Sequence, residues 1–411
     1  MDKATFEIRC TGCGNPFPRV FMPFCDACNN ITEAFYDLDA VKIHDASNPY
    51  VRFRDLLPVH DAGLLPDTAA YTPVIHAKAL GERLGMPHLY LKDETQAATG
   101  TTKDRMAAVS LAYLYECGVR AFCTSSTGNS STAYANAITA FPDFAMYLFT
   151  AEDFVNRVNY RATGQIVHYG MRGASFVEAF NYAGEFANKN DLVSERGFFN
   201  VGRREGLKLA WLEAIEQIDR PIDWYVQAVS SAMGVYGVYK GANEAMQLGL
   251  SPRTPQLLCV QQASCAPMAQ AWAEDSATIQ PHHLVPEPAG IAKAILRGDP
   301  TRAYPHTRRI VKESGGSIES VSEAEIRSAR DLVEKLEGVS ICFSAATAVA
   351  GLIKRVRSND FPQHETVLIN LSGSDREIGP AVDRRGDVHW LTRSGHGWVP
   401  EAPDREASLV F

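Results

Sequence analysis

The chain has 411 residues, of which 45% are hydrophobic and 21% charged, and its formal net charge at pH 7 is −8. That length and apolar content suit two or three units with sizeable cores. The negative balance gives no broad basic face for nucleic acid, no apolar run approaches the ~20 residues that span a bilayer, and the first residues lack the apolar stretch of a signal peptide; a cytoplasmic protein without membrane contact is expected.

Residues 1–45 carry Cys10-x-x-Cys13 and Cys25-x-x-Cys28 among turn residues, with little periodic pattern. Two tight cysteine pairs can each form a knuckle, and four thiolates complete a tetrahedral zinc site. Metal binding would supply folding energy that so short a segment lacks. A small zinc-ribbon-like module is therefore expected, structural in role, with simply reduced cysteines as the alternative. Cys117, Cys123, Cys259, Cys265 and Cys342 are scattered through apolar segments. They read as small buried hydrophobes in a reducing compartment. Residues 46–72 are irregular, because Pro49, Pro58 and Pro66 interrupt any helix.

From about Thr72 the rhythm changes. Short apolar runs at 88–91, 121–123, 145–149, 165–168, 224–229, 257–260, 340–343 and 366–371 predict buried strands. Several alternate with longer amphipathic stretches, such as 103–116, 205–218 and 345–355. Strands alternating with helices predict an α/β protein with mostly parallel sheets. Residues 274–310 are polar and contain prolines, which predicts loops and short helices. Polar residues cluster just after several of the strands, where open parallel sheets place their ligand sites.

Four such clusters carry candidate chemistry. In Thr99-Gly100-Thr101-Thr102-Lys103-Asp104-Arg105 a turn delivers a lysine to a helix start. The positive end of the helix dipole disfavours the ammonium there and so favours the amine that attacks an aldehyde; a surface lysine in a polar turn is the bland reading. In the segment 123–131 an apolar strand runs into Ser125, Ser126, Thr127, Gly128, Asn129 and Ser130, a hydroxyl-rich helix N-terminus suited to an anion. Ser230, Ser231, Ala232, Met233 and Gly234 again lie between a strand and a helix, a context in which backbone N–H groups cradle phosphate. Ser372 ends the run 366–371, where a hydroxyl can bond an unprotonated pyridine nitrogen.

Together, in this order and spacing, the segments from Thr72 onward resemble the threonine synthase family of fold type II pyridoxal-phosphate enzymes. The lysine segment is similar to that family's Thr-Gly-Ser-Phe-Lys-Asp-Arg, and Ser126-Thr127-Gly128-Asn129 to its Ser-Thr-Gly-Asn. The stretches 200–241 and 255–272 look closer to the archaeal cysteate synthase branch. The resemblance implies a tryptophan synthase β-like architecture: two three-layer α/β/α domains behind the small cysteine module. Residues 46–105 and 190–411 would form the large cofactor-binding domain, and 106–189 the small one. Lys103 would hold pyridoxal phosphate as a Schiff base and then shuttle protons. Asn129 would bond the cofactor's phenolic oxygen; Ser230, Ser231, Ala232, Met233 and Gly234 its phosphate; Ser372, where the family has Thr, its ring nitrogen. Ser125, Ser126, Thr127 and Ser130 would lie near an amino-acid substrate. Arg203, in a stretch resembling one with Arg and Glu-Gly, would bind a substrate phosphate. A homodimer is expected from the family.

Three departures bear on specificity: Thr102 stands where the family has Phe, Gly197-Phe198 where it has Asn-Ser, and Ala232-Met233 in a loop otherwise richer in Gly and Asn. The first two weaken O-phosphohomoserine as the particular substrate. The expected activity is elimination or replacement at the β or γ carbon of an activated, O-phosphorylated amino acid. One alternative is a serine or threonine dehydratase-like lyase yielding a 2-oxo acid. Another is a non-catalytic zinc-containing binding protein.

Overall fold

The computed structural model describes residues 6–66, 71–161, 163–375, 388–395 and 397–401. The remaining residues of the expected units lie outside the described residues. Two six-stranded sheets form the body of the chain, and a three-stranded sheet precedes them.

The first large sheet runs in the order Ser317–Val321, Gln256–Gln262, Trp224–Ala228, Val367–Leu371, Leu89–Asp93, Val74–His76. Its pairings are parallel except the last, which is antiparallel. The three central strands are buried at every position, as parallel strands covered on both faces must be. One face packs on helices Lys78–Leu84, Glu323–Glu337 and Phe343–Arg357 through Leu80, Leu91, Val226, Leu258, Val333 and Leu352. The other packs on Lys103–Glu116, Leu209–Gln217 and Met233–Gln247, joining Leu111, Trp211, Tyr225, Val238 and Leu368. This is a three-layer α/β/α arrangement.

The second sheet runs Gly397–Pro400, His389–Ser394, Ile166–Met171, Ala145–Ala151, Ala121–Ser125, Val193–Ser194. Helix Phe176–Lys189 covers one face, where Tyr182 and Phe186 meet Phe149 and Tyr169. A capping box at Ser175 and Glu178 sets the start of that helix.

Two expectations need correction. The run 340–343 is not a strand; Cys342 caps helix Phe343–Arg357, its Sγ accepting the Ala345 N–H at 3.4 Å. Four apolar residues cannot by themselves distinguish a buried strand from the entry to a buried helix. The division at residue 190 also differs: Val193–Ser194 and the hairpin His389–Ser394 with Gly397–Pro400 pair within the second sheet. The pairing of His389–Leu391 with Tyr169–Met171 spans 220 positions, and such a pairing has no local signal.

The N-terminal strands Pro16–Phe17, Phe6–Cys10 and Thr32–Tyr36 form an antiparallel sheet. It is fastened to the body. Phe6, Ile8 and Ala34 pack on Tyr113 and Val201, the Tyr36 hydroxyl donates to Glu205 Oε2 at 3.0 Å, and the buried Arg204 guanidinium donates to the Thr32 carbonyl.

Candidate active site

The site begins with the turn that carries Lys103. Asp104 folds this turn back on itself: Thr99 donates to it through its backbone N–H and its hydroxyl, each at 2.6 Å. Gly100 has φ +70°, and a side chain there would meet Ser374 Oγ at 2.5 Å. The Thr102 N–H and the Thr101 hydroxyl both donate to the Ser372 carbonyl at 3.1 Å. Residues 270 apart in sequence are thereby zipped together, and Lys103 opens its helix beside the end of strand Val367–Leu371.

Below the turn lies a buried charged lattice. Arg105 bonds Glu94 at 2.9 Å and Glu213 at 2.7 Å, and Lys92 bonds Glu213 at 2.6 Å, with all four side chains no more than 3% exposed. Two cations face two carboxylates, and Thr72 bridges Glu94 and Arg105. A lattice balanced in charge and hydrogen-bonded throughout holds the helix start in one place. Arg105 therefore positions Lys103 without reaching the cleft.

The Lys103 backbone N–H donates to the Thr101 hydroxyl at 3.5 Å, whereas its side-chain amine makes no hydrogen bond or ion pair among the described residues. Burial, reinforced by the charge of Arg203, pulls its pKa down to about 8, against weaker opposition from Glu94 and Cys342. Desolvation and Arg203 thus favour its neutral amine.

The amine faces an open cleft at the carboxyl ends of both large sheets. All the sequence-predicted cleft residues converge there. From the second sheet come Ser125, Ser126, Thr127, Asn129 and Ser130; from the first come Ser230, Ser231, Ala232, Met233, Gly234 and Ser372. Gly128, at φ +124°, turns the chain into helix Asn129–Ala137. Ser126 Oγ accepts the Gly128 and Ser131 N–H groups at 3.0 and 3.2 Å, so it builds this turn. Ser125 Oγ is buried and has no partner among the described residues.

Arg203 also lines the cleft, but its charge is committed. Its guanidinium is paired with the buried Glu195, and Nε donates to the Tyr134 hydroxyl at 3.0 Å. Burial opposes the charge, yet Glu195 and Tyr134 outweigh burial and hold its pKa above the usual value. Glu195 was not singled out from the sequence, nor were Thr101, Gln227, Arg297, Phe176 and Phe180, all of which line the cleft. A lone acid in a loop and an arginine in the polar stretch 274–310 carry no local signature.

This donor set fits pyridoxal phosphate. The cofactor needs a reactive amine, and Lys103 is unpaired. It needs a phosphate cradle, and the N–H groups of Ser230, Ser231, Ala232, Met233 and Gly234 find no protein acceptor among the described residues. These groups precede or begin the 15-residue helix Met233–Gln247, whose N-terminus favours an anion. A Cβ on Gly234 would lie 2.5 Å from Gln227 Nε2, so glycine keeps the cradle open.

Away from the cleft, the sulfur atoms of Cys10, Cys13, Cys25 and Cys28 all lie within 4.8 Å of one another. Cys10 and Cys28 are 3.3 Å apart, Cys13 and Cys25 3.6 Å. A tetrahedron of thiolates on zinc, with bonds of about 2.3 Å, has edges of about 3.8 Å. The four sulfurs fit such a site.

Comparison with known proteins agrees with this geometry. The chain is 28% identical to a threonine synthase of Methanosarcina acetivorans and 26% to a cysteate synthase of Methanosarcina barkeri, over 90% of this chain and 91% of each relative. Among solved structures it resembles maize serine racemase, with a TM-score of 0.62 and 20% identity over 75% of this chain and 89% of that one. It likewise resembles a processed threonine deaminase from Solanum lycopersicum, with a TM-score of 0.63 and 20% identity over 82% and 94%. The fold is thus fold type II. Residues 65–373 match the family described as pyridoxal-phosphate dependent enzyme, and the chain belongs to that family.

Proposed function

We propose that this enzyme carries out elimination and replacement on an activated amino acid, in the manner of the synthases it resembles along its length. The observation that carries the proposal is the unpaired Lys103 amine, with its pKa pulled to about 8, facing a cleft rich in hydroxyls and N–H donors. Pyridoxal phosphate, when bound, supplies the electron sink that makes an α proton removable and a β or γ substituent able to leave.

The protein's own groups do the rest. Lys103 would hold the cofactor, yield it to the substrate amine, and then take the α proton on Nζ. The cradle of N–H groups at 230–234 would hold the cofactor phosphate, and the Asn129 side chain would donate to its phenolic oxygen. Ser372 would offer a neutral donor to the ring nitrogen, which leaves the nitrogen unprotonated and the sink milder than a carboxylate would make it. Ser125 Oγ, buried and without a partner among the described residues, would donate to the substrate carboxylate, with Thr127 and Ser130 beside it. The substrate we propose is an O-phosphorylated amino acid. The cysteine cluster would hold a structural zinc, and the large and small domains would be those of the two sheets.

The test is to incubate the cofactor-loaded chain with O-phosphoserine, O-phosphothreonine and O-phosphohomoserine. Phosphate release with an amino-acid product, identified by mass, is expected. Formation of 2-oxo acid from unphosphorylated serine or threonine, without phosphate release from the esters, would replace this reading with a dehydratase.

A further inference from the structure

Three side chains that line the cleft bear positive charge: Lys103, Arg203 and Arg297. Lys103 is taken up by the cofactor in the function proposed above, on which this inference rests. Arg203 is neutralised by Glu195. Arg297 is different. Its Nε donates to the Asp299 carbonyl at 3.0 Å, but its two terminal amino groups have no acceptor and no carboxylate partner among the described residues.

The surroundings of Arg297 are built for this arrangement. The side chain is partly buried, and its guanidinium lies 5.4 Å from the centre of the Phe180 ring. Phe180 belongs to the helix on the second sheet, so the arginine spans the cleft from one unit to the other. The backbone beneath it is held on both sides: Arg297 N–H donates to Ile295 at 2.9 Å, and Val285 N–H donates to Gly298 at 3.0 Å. A Cβ on Gly298 would come within 1.8 Å of the Val285 carbonyl, so the chain can pass here only as glycine. Burial lowers the pKa of Arg297, and Asp299 only partly offsets it; the same balance at Arg203 falls the other way. A partly desolvated guanidinium with a free two-pronged edge is a receptor for an oxyanion.

We infer that Arg297, rather than Arg203, is the specificity-determining residue that binds the distal oxyanion of the amino-acid substrate. A phosphate ester meets its free edge bidentately, while Glu195 keeps Arg203 occupied and repels a second anion placed there. The part of the cleft lined by Arg297 and Phe180 then admits amino acids ending in an oxyanion and disfavours neutral ones of equal length.

The experiment uses the full chain loaded with cofactor, as wild type, Arg297→Leu and Arg297→Lys. The readouts are the dissociation constant for pyridoxal phosphate, KM and kcat for O-phosphoserine and O-acetylserine, and competition by inorganic phosphate and by acetate. Loss of a charge-assisted bidentate contact should lower the kcat/KM ratio of phosphorylated to acetylated substrate by about 10- to 100-fold in Arg297→Leu. The change should fall mainly on KM, with Arg297→Lys intermediate. Inorganic phosphate should compete less well against Arg297→Leu than against wild type; if acetate alone lost potency, the oxyanion would be a carboxylate and the phosphate assignment would fall. A selectivity ratio unchanged in Arg297→Leu would overturn the inference. So would a weakened cofactor constant with selectivity intact, since the arginine would then serve the cofactor phosphate. If wild type turned over none of these substrates, the proposed function would fail first, which separates the two failures.

Discussion

The reactivity of Lys103 should follow a pH profile set by its surroundings. With a pKa of about 8, about 9% of the amine is neutral at pH 7, against about 0.03% for a lysine at its ordinary value of 10.5. The share of amine available to capture pyridoxal phosphate at pH 7 is therefore about 300-fold larger than at an ordinary surface lysine, and capture should be faster by up to that factor. The rate should rise about tenfold from pH 6 to 7, bend near 8 and level above it, because the deprotonated form attacks and its share grows only up to the pKa. The assay is borohydride trapping of the apoprotein with cofactor at timed intervals between pH 5.5 and 10, with the modified peptide located by mass. Arg203→Met removes a cation that lowers the pKa, so its midpoint should move up; Glu94→Gln removes a carboxylate that raises it, so its midpoint should move down. A wild-type midpoint at or above 10, or an adduct at a lysine other than Lys103, would refute the reasoning.

Other consequences can be checked by stability and metal content. Glu213→Gln leaves Lys92 and Arg105 buried with one carboxylate between them. It should cost about 3–5 kcal/mol in urea unfolding, most of it recovered in the neutral double variant Lys92→Met/Glu213→Met; a wild-type urea midpoint would contradict the lattice argument. Gly128→Ala forces φ +124° on a side chain whose Cβ lies 2.8 Å from the Arg157 carbonyl. It should destabilise by about 2–3 kcal/mol and weaken cofactor uptake, measured by equilibrium titration, because Asn129 follows directly. The purified chain should carry one zinc per chain by metal analysis, and Cys25→Ser or a strong chelator should remove it and lower the thermal midpoint; full metal content in Cys25→Ser would count against the four-thiolate site.

What was legible in the sequence was local. The central strands announced themselves as continuous apolar runs, since a strand covered on both faces has no polar position to show. The Ser126–Asn129 turn and Ser372 each follow a strand end and Lys103 opens a helix after a turn, where hydroxyls, glycine and amine have no packing role, so they stand out from the chain around them. The paired cysteines were visible for the same reason: their spacing is itself the geometry. Tertiary structure alone decided the rest. Whether Arg203 is free or neutralised depends on Glu195, eight positions away in a loop. Whether Arg297 enters the cleft depends on a loop packing against Val285, and the pKa of Lys103 depends on burial that no window of sequence contains. Spacing along a chain encodes which groups a turn can present, whereas charge, desolvation and partner choice are sums over space, and only the folded chain performs that sum.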